Sequence, residues 1–164
     1  MIVTKFGGSS VADSTQFKKI KAIIEANPAR RVVVVSAPGK RYSSDTKVTD
    51  YLYTLGSHLK YGVPDDRLWN AVVERYKEIK ESLNLTIDIE AELAAFSSTF
   101  GKDIDQNCLV SRGEYFSAKL MAAYLGFQFI DAADWVKFNM NGTVNLDESY
   151  AALRERMTPG VGVV

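Results

Sequence analysis

Lys5, Gly7, Gly8, Ser9 and Ser10 fall together in the stretch KFGGSS, and that combination can seat a phosphate. Two glycines let backbone N–H groups approach phosphate oxygens, a helix after them points its positive end at the anion, and Lys5 adds a point charge. This is not a P-loop, because the lysine precedes the glycines and no GxxxxGK[ST] occurs. The same residues also make a tight strand-to-helix turn with a solvated lysine, and the local pattern leaves both readings open.

Two further groups carry comparable chemistry. Ser36-Ala37-Pro38-Gly39-Lys40-Arg41, followed by Asp45-Thr46-Lys47-Val48-Thr49-Asp50, gathers hydroxyls and cations that can hold a carboxylate or phosphate. Its plainer alternative is a polar loop in which Asp45 or Thr46 caps the next helix. In Ser111-Arg112-Gly113-Glu114-Tyr115, a carboxylate after a glycine break would sit at a helix start, where it can receive a substrate ammonium or simply stabilise its own helix. His58 has no second histidine or cysteine at ligand spacing, so a surface or half-buried role is expected and no metal site is assigned. Cys108 is read as packing. The stripe Glu74, Arg75, Lys77, Glu78, Lys80, Glu81 reads as a solvated helix face.

The elements that must position these groups follow from periodicity. Ile2 to Phe6 is a short β-prone run, and Phe17, Ile20 and Ile24 then recur at helical spacing, with Asp13 or Ser14 as cap and Asn27-Pro28 as stop. Arg31 to Ser36 is apolar without alternation, which predicts a strand covered on both faces and a parallel β-α-β unit. Helices are predicted from Val48 to Leu59, Leu68 to Leu83, Ile87 to Phe100 and Gln106 to Leu125, the last broken near Ser111-Arg112-Gly113. They form a helical insertion before a third strand at Phe127 to Asp131. A β-prone stretch near Val144, a helix from Glu148 to Arg156 and an apolar strand at Val161 to Val164 complete the pattern. The fold class expected is α/β, three layers with a mainly parallel sheet, and the loops after its strands lie where such sheets bind ligands.

Composition narrows the function classes. At 164 residues and 46% hydrophobic, the chain suits one domain. Twenty basic and twenty acidic residues cancel, so no global field recruits nucleic acid or an anionic membrane. No apolar run approaches the roughly 20 residues that span a bilayer, and no signal peptide is evident. A single cysteine suits a reducing compartment, so a cytoplasmic location is expected.

Taken in order, VTKFGGSSVADSTQF, VVVVSAPGKR, DTKVTDYLY, SRGEYFSAKLMAAYLGF and FIDAADW resemble the N-terminal part of the aspartokinases, within the amino acid kinase family. The resemblance covers essentially the whole chain. It implies transfer of phosphate from MgATP to the β-carboxylate of L-aspartate, the first step towards lysine, threonine and methionine. It further implies that Lys5 neutralises charge on the transferring group and that Gly7, Gly8, Ser9 and Ser36 form the phosphate seat. Thr49 would bind the substrate carboxylate and Glu114 its α-amino group, with no role assigned to Arg112.

A chain ending on an apolar strand at Val164 is expected to be an interrupted domain. Residues 1–164 would then be the aspartate and γ-phosphate side, without the nucleotide lobe or the regulatory ACT domains. Its ATP site would be incomplete, the fragment inactive, and the open sheet edge at Val164 covered by homo-oligomerisation. The alternatives are a non-catalytic anion-binding or interaction module, or a relative acting on glutamate, acetylglutamate or uridylate.

Overall fold

The computed structural model describes residues 1–63 and 65–164. The first strand, β1 (Ile2–Phe6), pairs in parallel with β2 (Arg30–Val35), with Lys5 opposite Val34 and Phe6 opposite Val35. Between them run a 3-10 turn at Gly8–Val11 and helix α1 (Ser14–Glu25). Asp13 caps α1 by accepting the Gln16 N–H at 3.0 Å, as its sequence position predicts. Phe17, Ile20 and Ile24 then form one buried stripe. Burying each such side chain contributes roughly 1.5–3 kcal/mol.

Four helices follow: α2 (Val48–Lys60), α3 (Asp66–Ser82), α4 (Ile89–Ser97) and α5 (Gln106–Leu125). The insertion is therefore helical, as expected. Its core joins Leu52 of α2, Tyr76 of α3, Leu93 of α4 and Phe116 of α5, all under 3% exposed. Tyr76 donates to the Gly113 carbonyl at 2.7 Å, which satisfies its buried hydroxyl, and burial pushes its phenol pKa up. Trp69 and Phe100 meet edge to face with centroids 5.0 Å apart. The chain closes with α6 (Ala132–Trp135), α7 (Leu146–Arg156) and an antiparallel bridge between Phe138 and Val144.

The last segment departs from expectation. Val163 bridges Val32 on one side and Gln128 on the other, both in parallel. Hydrogen bonds of 2.8 Å from Val33 N–H to the Val163 carbonyl and from Gln128 N–H to the Gly162 carbonyl fix it between β2 and residues 127–130. Val164 is thus an inner position and not the open edge anticipated from sequence. Gly162 permits the approach, since a Cβ there would lie 2.4 Å from the Phe127 ring.

A second difference concerns β2. Val33 and Val35 are buried beneath the helices, whereas Val34 is 46% exposed and Val3, on the neighbouring strand, 62%. An apolar run without alternation fits a doubly covered strand, but here one face packs on helices and the other is largely exposed. No helix among the described residues is long and apolar enough to cross a membrane.

Candidate active site

The carboxyl ends of β1 and β2 lie side by side, and the loops leaving them are locked by backbone contacts. The Ser36 N–H donates to the Phe6 carbonyl at 3.1 Å, and the Gly39 N–H donates to the Gly8 carbonyl at 2.8 Å. A Cβ on Gly39 would stand 2.7 Å from Gly8 C and 2.8 Å from Ser9 N, so only glycine permits this approach. The Val48 N–H donates to the Pro38 carbonyl at 3.0 Å, which places Thr49 and the first turn of α2 against the same loop. Gly7, Gly8, Ser9, Ser36 and Thr49, dispersed in sequence, therefore meet at one sheet end. Lys5 is exposed on β1, beside Val34 in the strand register.

Glu114 reaches this end from α5. Its Oε1 accepts the Ala37 N–H at 3.3 Å. The glycine before it is not a helix break: α5 runs unbroken from Gln106 to Leu125, and Glu114 lies in its middle. Gly113 instead admits close packing, since a Cβ there would lie 2.7 Å from the Ala37 Cβ. Glu114 thus owes its position to a helix packed on the loop and not to a helix start. It lines a groove of about 750 Å³ walled by Val32 to Val35, Arg112, Tyr115 and Ile130.

The loop after β2 is braced from beneath. Asp45, expected as a helix cap, is buried, and the cap position of α2 falls to Lys47. The Asp45 carboxylate receives Arg41 Nε at 2.9 Å and Arg75 Nη2 at 2.8 Å. Arg41 also donates to Glu78 at 2.7 Å. Hydrogen bonds from Arg41, with the Arg75 charge added, hold the Asp45 carboxyl well below the usual carboxylate range despite its burial. The same contact raises the Arg41 pKa. Arg75 is 4% exposed, so the charged stripe of α3 is not wholly solvated. Its position is legible in retrospect: it stands three residues after Val72 and four before Ile79, on the apolar face.

One minor expectation also changes. Cys108 is exposed and contributes no core packing. His58 is half-buried, within the range expected. Among the described residues no group of three or more histidine, cysteine, aspartate or glutamate side chains is arranged to hold a metal.

The buried Asp45 pair yields a pH prediction. A carboxyl whose pKa is lower in the folded state contributes its full stability above the unfolded value near about 3.9, and loses it as pH falls towards the folded pKa. Stability against urea should therefore fall steeply below about pH 4. Asp45→Asn should cost about 3–5 kcal/mol at neutral pH by leaving Arg75 unpaired, and should flatten that acid limb. Parallel pH profiles for the two proteins between about pH 4 and 2 would contradict this.

The profile of the amino acid kinase family matches residues 1–164. Aspartokinase 3 of Bacillus subtilis (strain 168) is 37% identical over 173 residues, covering 95% of this chain and 38% of that protein. The structure of Clostridium acetobutylicum aspartate kinase superimposes with a TM-score of 0.90 at 40% identity, over 96% of this chain and 36% of that one. Escherichia coli aspartokinase III in complex with aspartate and ADP shares the fold, with a TM-score of 0.80 at 22% identity over 99% of this chain and 39% of that one. The chain thus spans well under half the length of each of these proteins.

Proposed function

The chain belongs to the amino acid kinase family, and from that premise we propose that it is the aspartate and γ-phosphate half of an aspartokinase. One observation carries the reading: Glu114, from mid-α5, and the Gly8–Gly39 contact converge on the carboxyl ends of β1 and β2. That sheet end is where α/β proteins place ligands. The roles are assigned residue by residue. Glu114 receives the α-ammonium of L-aspartate, and Thr49 binds its α-carboxylate. Lys5 faces the transferring phosphoryl group, with Gly7, Gly8, Ser9 and Ser36 lining its seat.

The reaction is a transfer between oxygens. A β-carboxylate oxygen bonds to the γ-phosphorus of MgATP while the bond from that phosphorus to the β,γ-bridging oxygen breaks, giving aspartyl phosphate and ADP. The attacking carboxylate is already ionised, so no general base is needed, and positioning with charge stabilisation supplies the catalysis. L-aspartate, ATP and a second copy of the chain are the proposed partners, in the cytoplasm.

Calorimetric titration of L-aspartate into the purified chain tests the reading. Saturable heat is expected with L-aspartate and not with N-acetyl-aspartate, whose acylated nitrogen offers Glu114 no cation. Equal binding of both, or of neither, would overturn it. The phosphate seat is tested apart from the adenine with tripolyphosphate as probe. Lys5→Ala should weaken its binding by about tenfold, one charged hydrogen bond, while the melting temperature of an exposed position stays put. Unchanged affinity would remove Lys5 from the site.

A further inference from the structure

The Arg75 side chain touches three of the segments assigned to the site. Its Nη1 donates to the carbonyls of Gly39 at 2.8 Å and Ala12 at 3.4 Å, and its Nη2 to Asp45 Oδ2 at 2.8 Å and the Thr46 carbonyl at 3.4 Å. Ala12 ends the turn that begins at Gly8, Gly39 holds the Gly8 carbonyl, and Thr46 precedes the first turn of α2 that carries Thr49.

A planar guanidinium offers five N–H donors in fixed directions, so its acceptors must hold fixed places relative to one another. A cation buried to this degree is retained only when paired, and Asp45 supplies the countercharge. Arg41 and Glu78 extend the brace to the surface of α3.

We propose that Arg75 is a positioning residue that sets the turn after β1, the loop after β2 and the start of α2 at one separation, and so holds the phosphate seat in register with the substrate-carboxylate site. The inference rests on the functional reading above. Arg75 touches no substrate itself. It acts through the backbone carbonyls of Ala12, Gly39 and Thr46, and the separation it maintains is that between the Gly8 backbone and Thr49.

The test joins amide hydrogen exchange with L-aspartate titration on the full chain, for wild type, Arg75→Met and Arg75→Lys. The Gly39 amide, bonded to the Gly8 carbonyl, reports the loop contact. The Leu120 amide, within α5 and outside the Arg75 hydrogen bonds, reports global opening. Exchange at Gly39 should accelerate at least about tenfold beyond any change at Leu120, the effect of losing one charged hydrogen bond. Aspartate affinity should fall alongside it. Arg75→Lys should be intermediate, because an ammonium keeps the Asp45 pair but cannot span four acceptors.

Equal acceleration at both amides would mean a merely structural arginine and overturn the proposal. So would faster exchange at Gly39 with aspartate affinity unchanged. If Arg75→Met does not fold, Arg75→Lys decides by the same criteria. A wild-type chain that binds no aspartate would defeat the functional reading, while the exchange comparison would still decide whether Arg75 fixes the loop.

Discussion

Replacing Glu114 with alanine weakens L-aspartate binding by about 10- to 150-fold in the expected result, the loss of a charged hydrogen bond of about 1.5–3 kcal/mol. The carboxylate is half-buried on α5, within reach of the Ala37 N–H, so its removal takes away both the proposed ammonium partner and a brace on the loop. Glu114→Gln separates the two effects. Its amide oxygen can still accept the Ala37 N–H while the charge is lost. If the charge is what binds substrate, both variants lose affinity and only alanine also loosens the loop. Aspartate binding by Glu114→Gln at the wild-type level would show that the carboxylate is a loop brace alone. Calorimetry for affinity and exchange at the Ala37 amide for the brace read the two effects independently.

Gly39→Ala is expected to be the most disruptive single change in the glycine pair. A Cβ at 2.7, 2.8 and 2.9 Å meets backbone atoms of Gly8 and Ser9, which cannot turn aside as a side chain would. Overpacking of this kind costs about 1–3 kcal/mol. Here relief requires breaking the 2.8 Å hydrogen bond from Gly39 to Gly8, so the proposed phosphate seat would open as well. Gly7→Ala is the matched control, because nothing lies within 4 Å of a Cβ there and its φ of −77° suits any residue. The urea midpoint should drop for Gly39→Ala and barely move for Gly7→Ala. Equal midpoints would mean that the two strand-end loops are not rigidly joined.

The two variants bear on one architectural fact. The proposed seat is not a single glycine-rich loop but two loops from adjacent parallel strands held back to back. The strand register, with Phe6 opposite Val35, starts the two loops at the same height. Hydrogen bonds from Ser36 to Phe6 and from Gly39 to Gly8 continue the ladder past the strands. The helices supply what the sheet cannot: Glu114 and Gly113 from α5 and the Arg75 brace from α3.

The sequence alone specified most of the helices and the strands β1 and β2, but it put a break in α5, which runs unbroken, and a strand at 127–131, where Gln128 makes an isolated bridge. Helical spacing at Phe17, Ile20 and Ile24, the Asp13 cap, the valines of β2 and the long apolar periodicity of α3 all specify local structure through interactions within a few residues. It also carried the family, because several motifs occur in a fixed order. Where Arg75, Asp45, Glu114 and Val164 lie follows from contacts between distant segments. A buried arginine looks like a solvated one in a mixed-charge stripe until its partner, thirty residues away, is brought beneath it. Gly113 reads as a helix break until Ala37 is seen pressed against it, a contact made across more than seventy positions. Val163 and Val164 lie between β2 and residues 127–130 because parallel pairing joins segments in an order the chain does not follow. Short-range preferences are written along the chain, whereas burial of a charge, close approach at a glycine and strand order arise from contacts between distant segments.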